Sequence, residues 1–397
     1  PFEAKGTKPM DQFSRRNIIA GLGVGGLGIL ANSFAGGAES DASSQATNDG
    51  QGGATKKVNR LGVVSSSIRG KPQITNGHTW HFTHCFHPEV NLEAIKKYLD
   101  PGSSREFEVH FRNPKMNLDQ IPFHDTEIAY YYTTSPEEAE KFCEAFPGVQ
   151  RAESLEQMVG DVDAVWLGDA SGYGDDHFDL IAPGLEKGLP TFCDKPIGGT
   201  VAGTRKILEF ARAHRAPIMS SSLFRHQWGM ETALRMRDSG EFGPLQYVIA
   251  SLMGGYTPDS WFVYGQHPIW SVMTLCGAGV QAVSAYAREN TCHALITYPD
   301  RMPAEVWYGR PDVEYSETQV TFQKKTYHFS SDIEDDWWFG HHYEIFRMAN
   351  TFREMIRTGI EPVPHQEILE VTAILYAAAK SMAEQGRLVE LSEVMEA

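Results

Sequence analysis

Between residues 57 and 225, short apolar runs alternate with longer segments whose apolar positions recur at helical spacing. The longer segments predict amphipathic helices, and the one after Ser135 starts with an N-cap serine, a proline and acidic residues. The apolar runs predict strands covered on both faces. They lie at residues 58–67, 127–135, 162–171, 190–194 and 217–224. Strands separated by helices predict a parallel, doubly wound sheet with right-handed crossovers.

After residue 225 the pattern changes to strand-like runs with few helical segments between them, which predicts a mostly antiparallel sheet. These runs lie at residues 244–256, 282–290, 292–299, 304–309 and 315–331. Two helices are predicted to follow, at residues 341–359 and 365–386. The predicted fold class is α/β, with a Rossmann-like domain at residues 57–225 and a C-terminal α+β domain with an open sheet at residues 226–397.

The first 56 residues differ in composition from the rest of the chain. Two consecutive arginines precede an apolar, glycine-rich run at residues 18–31, and a small-x-small pattern follows it. The run is too short and too rich in glycine for a good membrane span, so residues 1–35 are predicted to be a twin-arginine export signal. Residues 36–56 are predicted to be a disordered linker. The expected location is the periplasm or another exported compartment, with no membrane span after signal removal.

The charge and the cysteine content narrow the classes of partner. The formal net charge of −16 does not provide the basic face that phosphate backbones need, so no nucleic acid partner is expected. The cysteines have no CxxC spacing, which favours buried free thiols over a disulfide framework or a zinc site. They are Cys85, Cys143, Cys193, Cys276 and Cys292.

A lysine follows directly where one of the predicted strands ends. The stretch PTFCDKPIGGT, residues 190–200, runs from an apolar strand into Asp194, Lys195 and Pro196. Ligands on open α/β sheets bind beyond the carboxyl ends of the strands. Lys195 is therefore predicted to lie in a functional site.

Four features together resemble the Gfo/Idh/MocA family, which includes glucose–fructose oxidoreductase and inositol dehydrogenase. They are the acid-Lys-Pro motif at residues 194–196, the preceding helix that starts at His177, the segment VYGQH at residues 263–267, and the C-terminal helices from His341 onward. The resemblance covers nearly the whole chain after the linker. It implies a Rossmann domain and a second domain whose open sheet carries the substrate pocket and forms a homo-oligomer.

The resemblance implies hydride transfer between NAD or NADP and a carbinol carbon of a sugar, sugar derivative or cyclitol. His267 aligns with the family's base for the hydroxyl proton, and Lys195 aligns with the group that favours the oxygen anion. These residue types suit the task, because a histidine titrates near neutral pH and an ammonium stabilises a developing alkoxide. In an exported enzyme we expect the cofactor to be held tightly and recycled, in a closed cycle of oxidation, elimination or epimerisation, and reduction.

The nucleotide-binding signals of the family are altered in this chain. No G-x-G-x-x-G follows the first predicted strand, and Ser65, Ser66 and Ser67 are the candidate phosphate contacts in its place. The second strand ends at Thr133 and not at an acid, so a 2′-phosphate is tolerated and both NAD and NADP stay open.

The catalytic motif of the second domain is altered as well. The family's D-x-G-x-H begins here with Val263, so the expected carboxylate beside His267 is missing from its usual position. Asp259 and Tyr264 are the candidates to orient the imidazole instead.

The predicted site residues form three sets, of which the first is the catalytic pair Lys195 and His267. The cofactor-binding set is Ser65, Ser66, Ser67, Thr133, Asp169, Ser171, His177, Asp194 and Lys195. The substrate-binding set is Arg225, Tyr264 and Trp337. Histidines recur at every third position from residue 78 to residue 87, but no metal site is predicted, because the series drifts around a helix.

Two other functions fit the same residues. One is a non-redox carbohydrate lyase, isomerase or hydrolase, with or without a metal, on a fold that has lost its nucleotide site. The other is a catalytically inactive relative that binds a carbohydrate.

Overall fold

The structure, a computed structural model, describes residues 57–65, 67–68, 71–72, 77–99, 101–112, 121–168, 173–309, 316–331 and 337–396. The predicted export signal and linker lie outside these residues. The strands are β1 (Asn59–Val64), β2 (Ser67–Ile68), β3 (Lys71–Pro72), β4 (Thr126–Tyr132), β5 (Gln150–Arg151), β6 (Ala164–Leu167), β7 (Thr191–Cys193), β8 (Ile218–Met219), β9 (Leu245–Leu252), β10 (Ala282–Arg288), β11 (Thr291–Thr297), β12 (Ala304–Tyr308), β13 (Ser316–Phe322), β14 (Lys325–Ser330) and β15 (Val389–Glu390).

The helices pack on these strands or connect them. They are α1 (Gly77–His81), α2 (Thr83–Phe86), α3 (Leu92–Tyr98), α4 (Pro101–Arg112), α5 (Pro136–Ala145), α6 (Leu155–Val159), α7 (His177–Glu186), α8 (Val201–His214), α9 (Met230–Ser239), α10 (Pro258–Ser260), α11 (Gln266–Cys276), α12 (Trp337–Thr358), α13 (His365–Ala383) and α14 (Ser392–Met395). A 3-10 turn spans Leu223–His226, and a π-helical turn spans Trp261–Gly265. None of the helices in the described part of the chain is long and apolar enough to cross a membrane.

The first sheet is parallel throughout. Within the described residues it has the strand order β5–β4–β1–β6–β7–β8. Val64, Leu167 and Cys193, the last residues of its three central strands, are fully buried, which explains why the strand runs are almost wholly apolar. The chain leaves β1 first toward β4 and later returns to its other side at β6. The crevice beyond the carboxyl ends of β1 and β6 is therefore where such a sheet binds ligands.

The second sheet is mixed but mostly antiparallel. Its strand order is β14–β13–β9–β12–β11–β10–β15 within the described residues. The β9–β12 pair is parallel, and the other neighbouring strands are antiparallel. Helix α11 packs on β9 and helix α13 packs on β10. The predicted fold class is confirmed.

Three helices at the start of the second half were not predicted. Helix α9 precedes β9, and α10 and α11 lie between β9 and β10. Helix α11 escaped notice because residues 266–275 are all buried, so the segment has no polar stripe. The described cysteines are free, as predicted, but Cys143 and Cys276 are half-buried and not fully buried.

The C-terminal helix α12 packs against the first sheet. Phe352 contacts the edge of Trp166, which in turn stacks on Phe192 with ring centres 3.8 Å apart. Arg353 donates to both carboxylate oxygens of Asp125, at 2.6 and 2.8 Å. The last part of the chain therefore covers one face of the sheet formed by the first part.

A buried glutamine joins several elements of the second half. Gln227, which is 1% exposed, donates from Nε2 to the hydroxyls of Ser316 and Ser331, at 3.0 and 3.1 Å. Its Oε1 accepts from Thr318 at 3.2 Å and from Ser271 at 3.4 Å. One side chain thus satisfies four buried hydroxyls on α11, β13 and the end of β14.

Replacing this glutamine should lower stability strongly. We expect Gln227→Ala to reduce the free energy of unfolding by about 2–4 kcal/mol, because buried hydroxyls lose their partner and a cavity remains. Urea denaturation measures the change. Gln323→Ala, an exposed glutamine in the β13–β14 turn, is the control and should shift the free energy by less than about 0.5 kcal/mol. Equal shifts for both variants would show that the network does not stabilise the fold.

Candidate active site

Several functional groups lie beyond the carboxyl end of β7. Asp194 and Lys195 follow this strand directly and are 1% and 2% exposed. The Asp194 carboxylate accepts the Lys195 backbone N–H at 2.7 Å, which fixes the turn that leaves the strand. Its other oxygen lies 2.7 Å from Nδ1 of His78 on α1. The strand end thus holds a buried carboxylate, an imidazole and a lysine.

The Lys195 side chain points toward the second half of the chain. Its Nζ donates to the carbonyl oxygen of Val263 at 3.3 Å and lies 5.6 Å from the centre of the Tyr264 ring. Both residues belong to the π-helical turn Trp261–Gly265. The position at which the sequence lacks the family's acid therefore contacts the lysine through its backbone oxygen.

His267 also lies beside Tyr264. It is the second residue of α11, is 8% exposed, and its ring stacks on that of Tyr264 with centres 6.2 Å apart. Burial, followed by the charges of Lys195, His78 and His341, holds the pKa of His267 well below its usual range. The imidazole is therefore neutral at neutral pH, and both members of the predicted catalytic pair lie near one exposed aromatic ring.

A serine orients the imidazole. Nδ1 of His267 lies 2.6 Å from Oγ of Ser222, which is 1% exposed. Neither of the candidates from the sequence does this: Asp259 is exposed on α10, and Tyr264 contacts His267 by ring stacking. Ser222 escaped the sequence analysis, because nothing in a run of three serines marks one that contacts a residue 45 positions away.

A cavity of about 390 Å³ opens beside this cluster. Pro196 and Phe262, the neighbours of Lys195 and Val263 in the chain, form part of its wall. Asp175 and Asp259 contribute carboxylates, and Tyr376 of α13 contributes an aromatic ring. A cavity with aromatic and carboxylate groups suits a polyhydroxylated ligand, which needs both apolar faces and hydrogen-bond acceptors.

The structure describes some of the residues that are predicted to contact a nucleotide. Ser65 follows β1 and is 1% exposed, and its Oγ has no hydrogen-bond partner among the described residues. Thr133, which follows β4, is also buried, and its Oγ1 accepts from the Ser135 N–H at 3.5 Å. Ser66, Asp169 and Ser171 lie outside the described residues, as does the side chain of Ser67. The unpartnered Ser65 hydroxyl at the crevice fits an anionic group such as a phosphate.

A glycine lets α1 approach the end of β6. A Cβ at Gly168 would lie 2.8 Å from Cα and 2.9 Å from N of Thr79, closer than real side chains come to a backbone. Thr79 Oγ1 also donates to the Gly168 carbonyl. Close packing of a helix on a strand is one of the roles that glycines have in nucleotide-binding sheets.

Gly168→Ala should therefore displace α1. We expect a loss of about 1–3 kcal/mol in the free energy of unfolding, because the backbone of Thr79 must move to admit the methyl group. Differential scanning calorimetry measures it. Gly255→Ala is the control, since a Cβ there meets no atom within 4 Å. A Gly168→Ala variant with an unchanged free energy of unfolding would show that this contact does not hold α1 in place.

The other predicted site residues lie in different surroundings. His177 is fully buried at the start of α7, with Nδ1 3.5 Å from Sγ of Cys193, so it packs on β7. Arg225 forms an ion pair with Glu367 of α13 at 3.2 Å and donates to the hydroxyl of Thr274 on α11 at 3.3 Å, so its described partners hold it between these two helices. Trp337 starts α12, and its side chain lies outside the described part of the chain.

The histidine series does not share one face. His78 contacts Asp194, and His81 packs on the ring of Phe107. His87, which follows α2, has its Nε2 2.7 Å from the carbonyl oxygen of Pro147. The series is divided between α1 and α2, so it points in several directions. Among the described residues, no cluster of three potential metal-ligating side chains occurs.

Residues 110–221 match the sequence model of the GFO_IDH_MocA family, described as an oxidoreductase family with an NAD-binding Rossmann fold. A similar curated protein is the dTDP-3,4-didehydro-2,6-dideoxy-alpha-D-glucose 3-reductase of Saccharopolyspora spinosa. It is 29% identical over 131 residues, which cover 32% of this chain and 37% of the reductase. The chain thus aligns with well under half the length of this relative.

Solved structures resemble the chain over most of its length. The apo scyllo-inositol dehydrogenase of Lactobacillus casei has a TM-score of 0.63 at 14% identity, covering 85% of this chain and 99% of that one. A probable dehydrogenase of Thermotoga maritima has a TM-score of 0.63 at 15% identity, covering 84% and 99%. The L. casei enzyme with bound NAD(H) and scyllo-inositol has a TM-score of 0.60 at 15% identity, covering 85% and 100%. At these identities the similarity shows the fold.

Proposed function

We propose that this chain is an oxidoreductase of a carbinol carbon, on the premise that residues 110–221 match the sequence model of the Gfo/Idh/MocA oxidoreductase family. The substrate class is a sugar, sugar derivative or cyclitol, and the cofactor is tightly bound NAD or NADP. The observation that carries the proposal is the convergence of Lys195 and His267 on Tyr264 beyond the carboxyl end of β7. The related proteins support the substrate class, since one was solved with scyllo-inositol and another is named for a dTDP-linked sugar.

Lys195 and His267 act on the substrate oxygen. A lysine that is 2% exposed stabilises an oxygen anion far better than a solvated one, because little water screens its charge. His267 hydrogen-bonds the same oxygen from the other side, held in place by Ser222. Tyr264, which is close to both, is 48% exposed, so a sugar ring can pack on it.

The described residues fit a dinucleotide at the crevice of the first sheet. Ser65 and Thr133, at the ends of β1 and β4, would contact it, and the neutral Thr133 admits either NAD or NADP. When bound, the nicotinamide supplies the acceptor or donor of hydride. The protein's own contribution is to hold Lys195 and His267 at the carbinol oxygen and to limit access of water to it.

Export through the signal proposed for residues 1–35 would require the protein to retain its cofactor. Free nicotinamide nucleotides are scarce outside the cytoplasm, so an exported enzyme must carry its cofactor and regenerate it within one site. Oxidation, elimination or epimerisation beside the ketone, and reduction would then form a closed cycle with no net redox change. We further expect a homo-oligomer formed through the second sheet.

Release of nucleotide tests the proposal. The purified full chain is denatured, and the supernatant is analysed for NAD and NADP by mass spectrometry. The proposal predicts stoichiometric nucleotide and turnover of scyllo-inositol or another cyclitol or hexose. Protein that contains no nucleotide and still converts a carbohydrate would overturn it in favour of non-redox chemistry.

A further inference from the structure

We infer that Ser222 fixes His267 as the tautomer with hydrogen on Nε2, so that His267 donates a hydrogen bond to the substrate oxygen and is not the base. This inference rests on the proposed function for its catalytic consequence. The tautomer itself follows from the contacts of the free protein. It changes the role that the family resemblance gives to the histidine.

The hydrogen bonds of Ser222 decide which group donates in its contact with His267. Its Oγ accepts the backbone N–H of Phe224 at 3.1 Å, which caps the 3-10 turn Leu223–His226. The hydroxyl has a single hydrogen, and within the described residues its one acceptor is Nδ1 of His267, at 2.6 Å. If Nδ1 instead donated to Oγ, the hydroxyl hydrogen would be buried without an acceptor. That arrangement is disfavoured by about tenfold or more in population.

The imidazole ring of His267 carries a single N–H hydrogen. Burial and the charges of Lys195, His78 and His341 keep the pKa of His267 well below its usual range, so the imidazole is neutral and carries one N–H. Since Nδ1 accepts from Ser222, this hydrogen is on Nε2. The lone pair of a ring nitrogen that carries hydrogen belongs to the aromatic system, so Nε2 cannot accept the substrate proton.

The hydroxyl proton of the substrate then goes to Lys195. With the nicotinamide nucleotide bound, the Lys195 ammonium would first release one proton to solvent. Its amine would then take the O–H proton as hydride leaves the carbinol carbon for the nucleotide, and the carbonyl would form. In reduction, the resulting ammonium returns the proton to the oxygen. His267 Nε2–H remains bonded to this oxygen throughout and stabilises its negative charge.

Nuclear magnetic resonance of the full chain tests the tautomer without a substrate. The 15 histidines are labelled with ¹⁵N, and the His267 ring is assigned from its absence in His267→Gln. Two-bond ¹H–¹⁵N spectra distinguish the two neutral tautomers. The inference predicts a protonated Nε2 and an unprotonated Nδ1, with no titration near neutral pH. A protonated Nδ1 in the wild-type protein would overturn it.

Matched serine variants show whether Ser222 is responsible. Ser222→Ala should allow a mixture of both tautomers, whereas Ser222→Thr retains the hydroxyl and should keep the original one. Ser221→Ala removes a neighbouring serine that is equally buried but whose Oγ has no described partner, and it should change nothing at His267. A single unchanged tautomer in Ser222→Ala would show that another group fixes the ring.

Activity measurements distinguish whether His267 acts as a hydrogen-bond donor or as a base. With scyllo-inositol and NAD⁺ as probes, His267→Gln retains an N–H donor and should keep at least about tenfold more kcat than His267→Ala. A base would be lost equally in both variants. Equal loss in the two variants would contradict the donor role even if the tautomer is as inferred. If scyllo-inositol is not turned over, the proposed substrate fails, and the spectra still decide the tautomer.

Discussion

Lys195→Met should lower kcat/KM for scyllo-inositol oxidation by about 10³-fold. Methionine keeps the length and apolar stem of the side chain, so the variant removes the amine and little volume. The buried amine lies beside Tyr264, and its charge is among the causes that lower the pKa of His267. In the variant, the substrate oxygen therefore lacks the cation that stabilises it. Conversion of the cyclitol, followed by mass spectrometry, measures the effect.

The control for this variant is Lys187→Met, an exposed lysine that follows α7. It should leave kcat/KM unchanged. Removal of the Lys195 charge should also raise the pKa of His267 toward its usual range, since that charge is among the causes that lower it. Normal kinetics in Lys195→Met would contradict the assignment of the site.

Arg225→Met should reduce the free energy of unfolding by about 3 kcal/mol, with KM for the sugar unchanged. Arg225 pairs with Glu367 at 3.2 Å and donates to the Pro362 carbonyl, and both charged side chains are less than one-fifth exposed, at 18% and 16%. Burial lowers the pKa of the guanidinium, opposed by Glu367. Removal of the arginine leaves a shielded carboxylate without its partner. Guanidinium denaturation measures the loss.

Two further variants separate stability from substrate binding. Arg235→Met alters a largely exposed arginine on α9 and should change stability by less than about 0.5 kcal/mol. Arg225→Met/Glu367→Leu removes both charges and should regain much of the stability lost in the single variant. A stable Arg225→Met variant with a raised KM would restore Arg225 as a substrate-binding residue, as predicted from the sequence.

The sequence predicts the parts of the fold that depend on local pattern. The parallel sheet follows from apolar runs of strand length separated by amphipathic segments, and this alternation needs no distant contact. The place of Lys195 follows in the same way, because a residue after an apolar strand lies at the carboxyl edge of the sheet. The structure puts it there, 2% exposed and directed at the second half of the chain.

The geometry around His267 could not be predicted, because it depends on contacts between distant residues. Helix α11 is buried nearly all around and includes Pro268, so neither periodicity nor propensity marked it as a helix. Ser222 and His267 meet across 45 positions, and His78 and Asp194 across 116. Val263 contributes a backbone oxygen, which no side-chain motif records.

Transfer of deuterium tests the central claim most directly. The full chain is incubated with scyllo-inositol deuterated at carbon and then denatured, and the released nucleotide is analysed by mass spectrometry. The account predicts deuterium on the nucleotide from the wild-type protein and labelling about 10³-fold slower in Lys195→Met. Consumption of the cyclitol with an unlabelled nucleotide, or equal labelling in the two proteins, would contradict it.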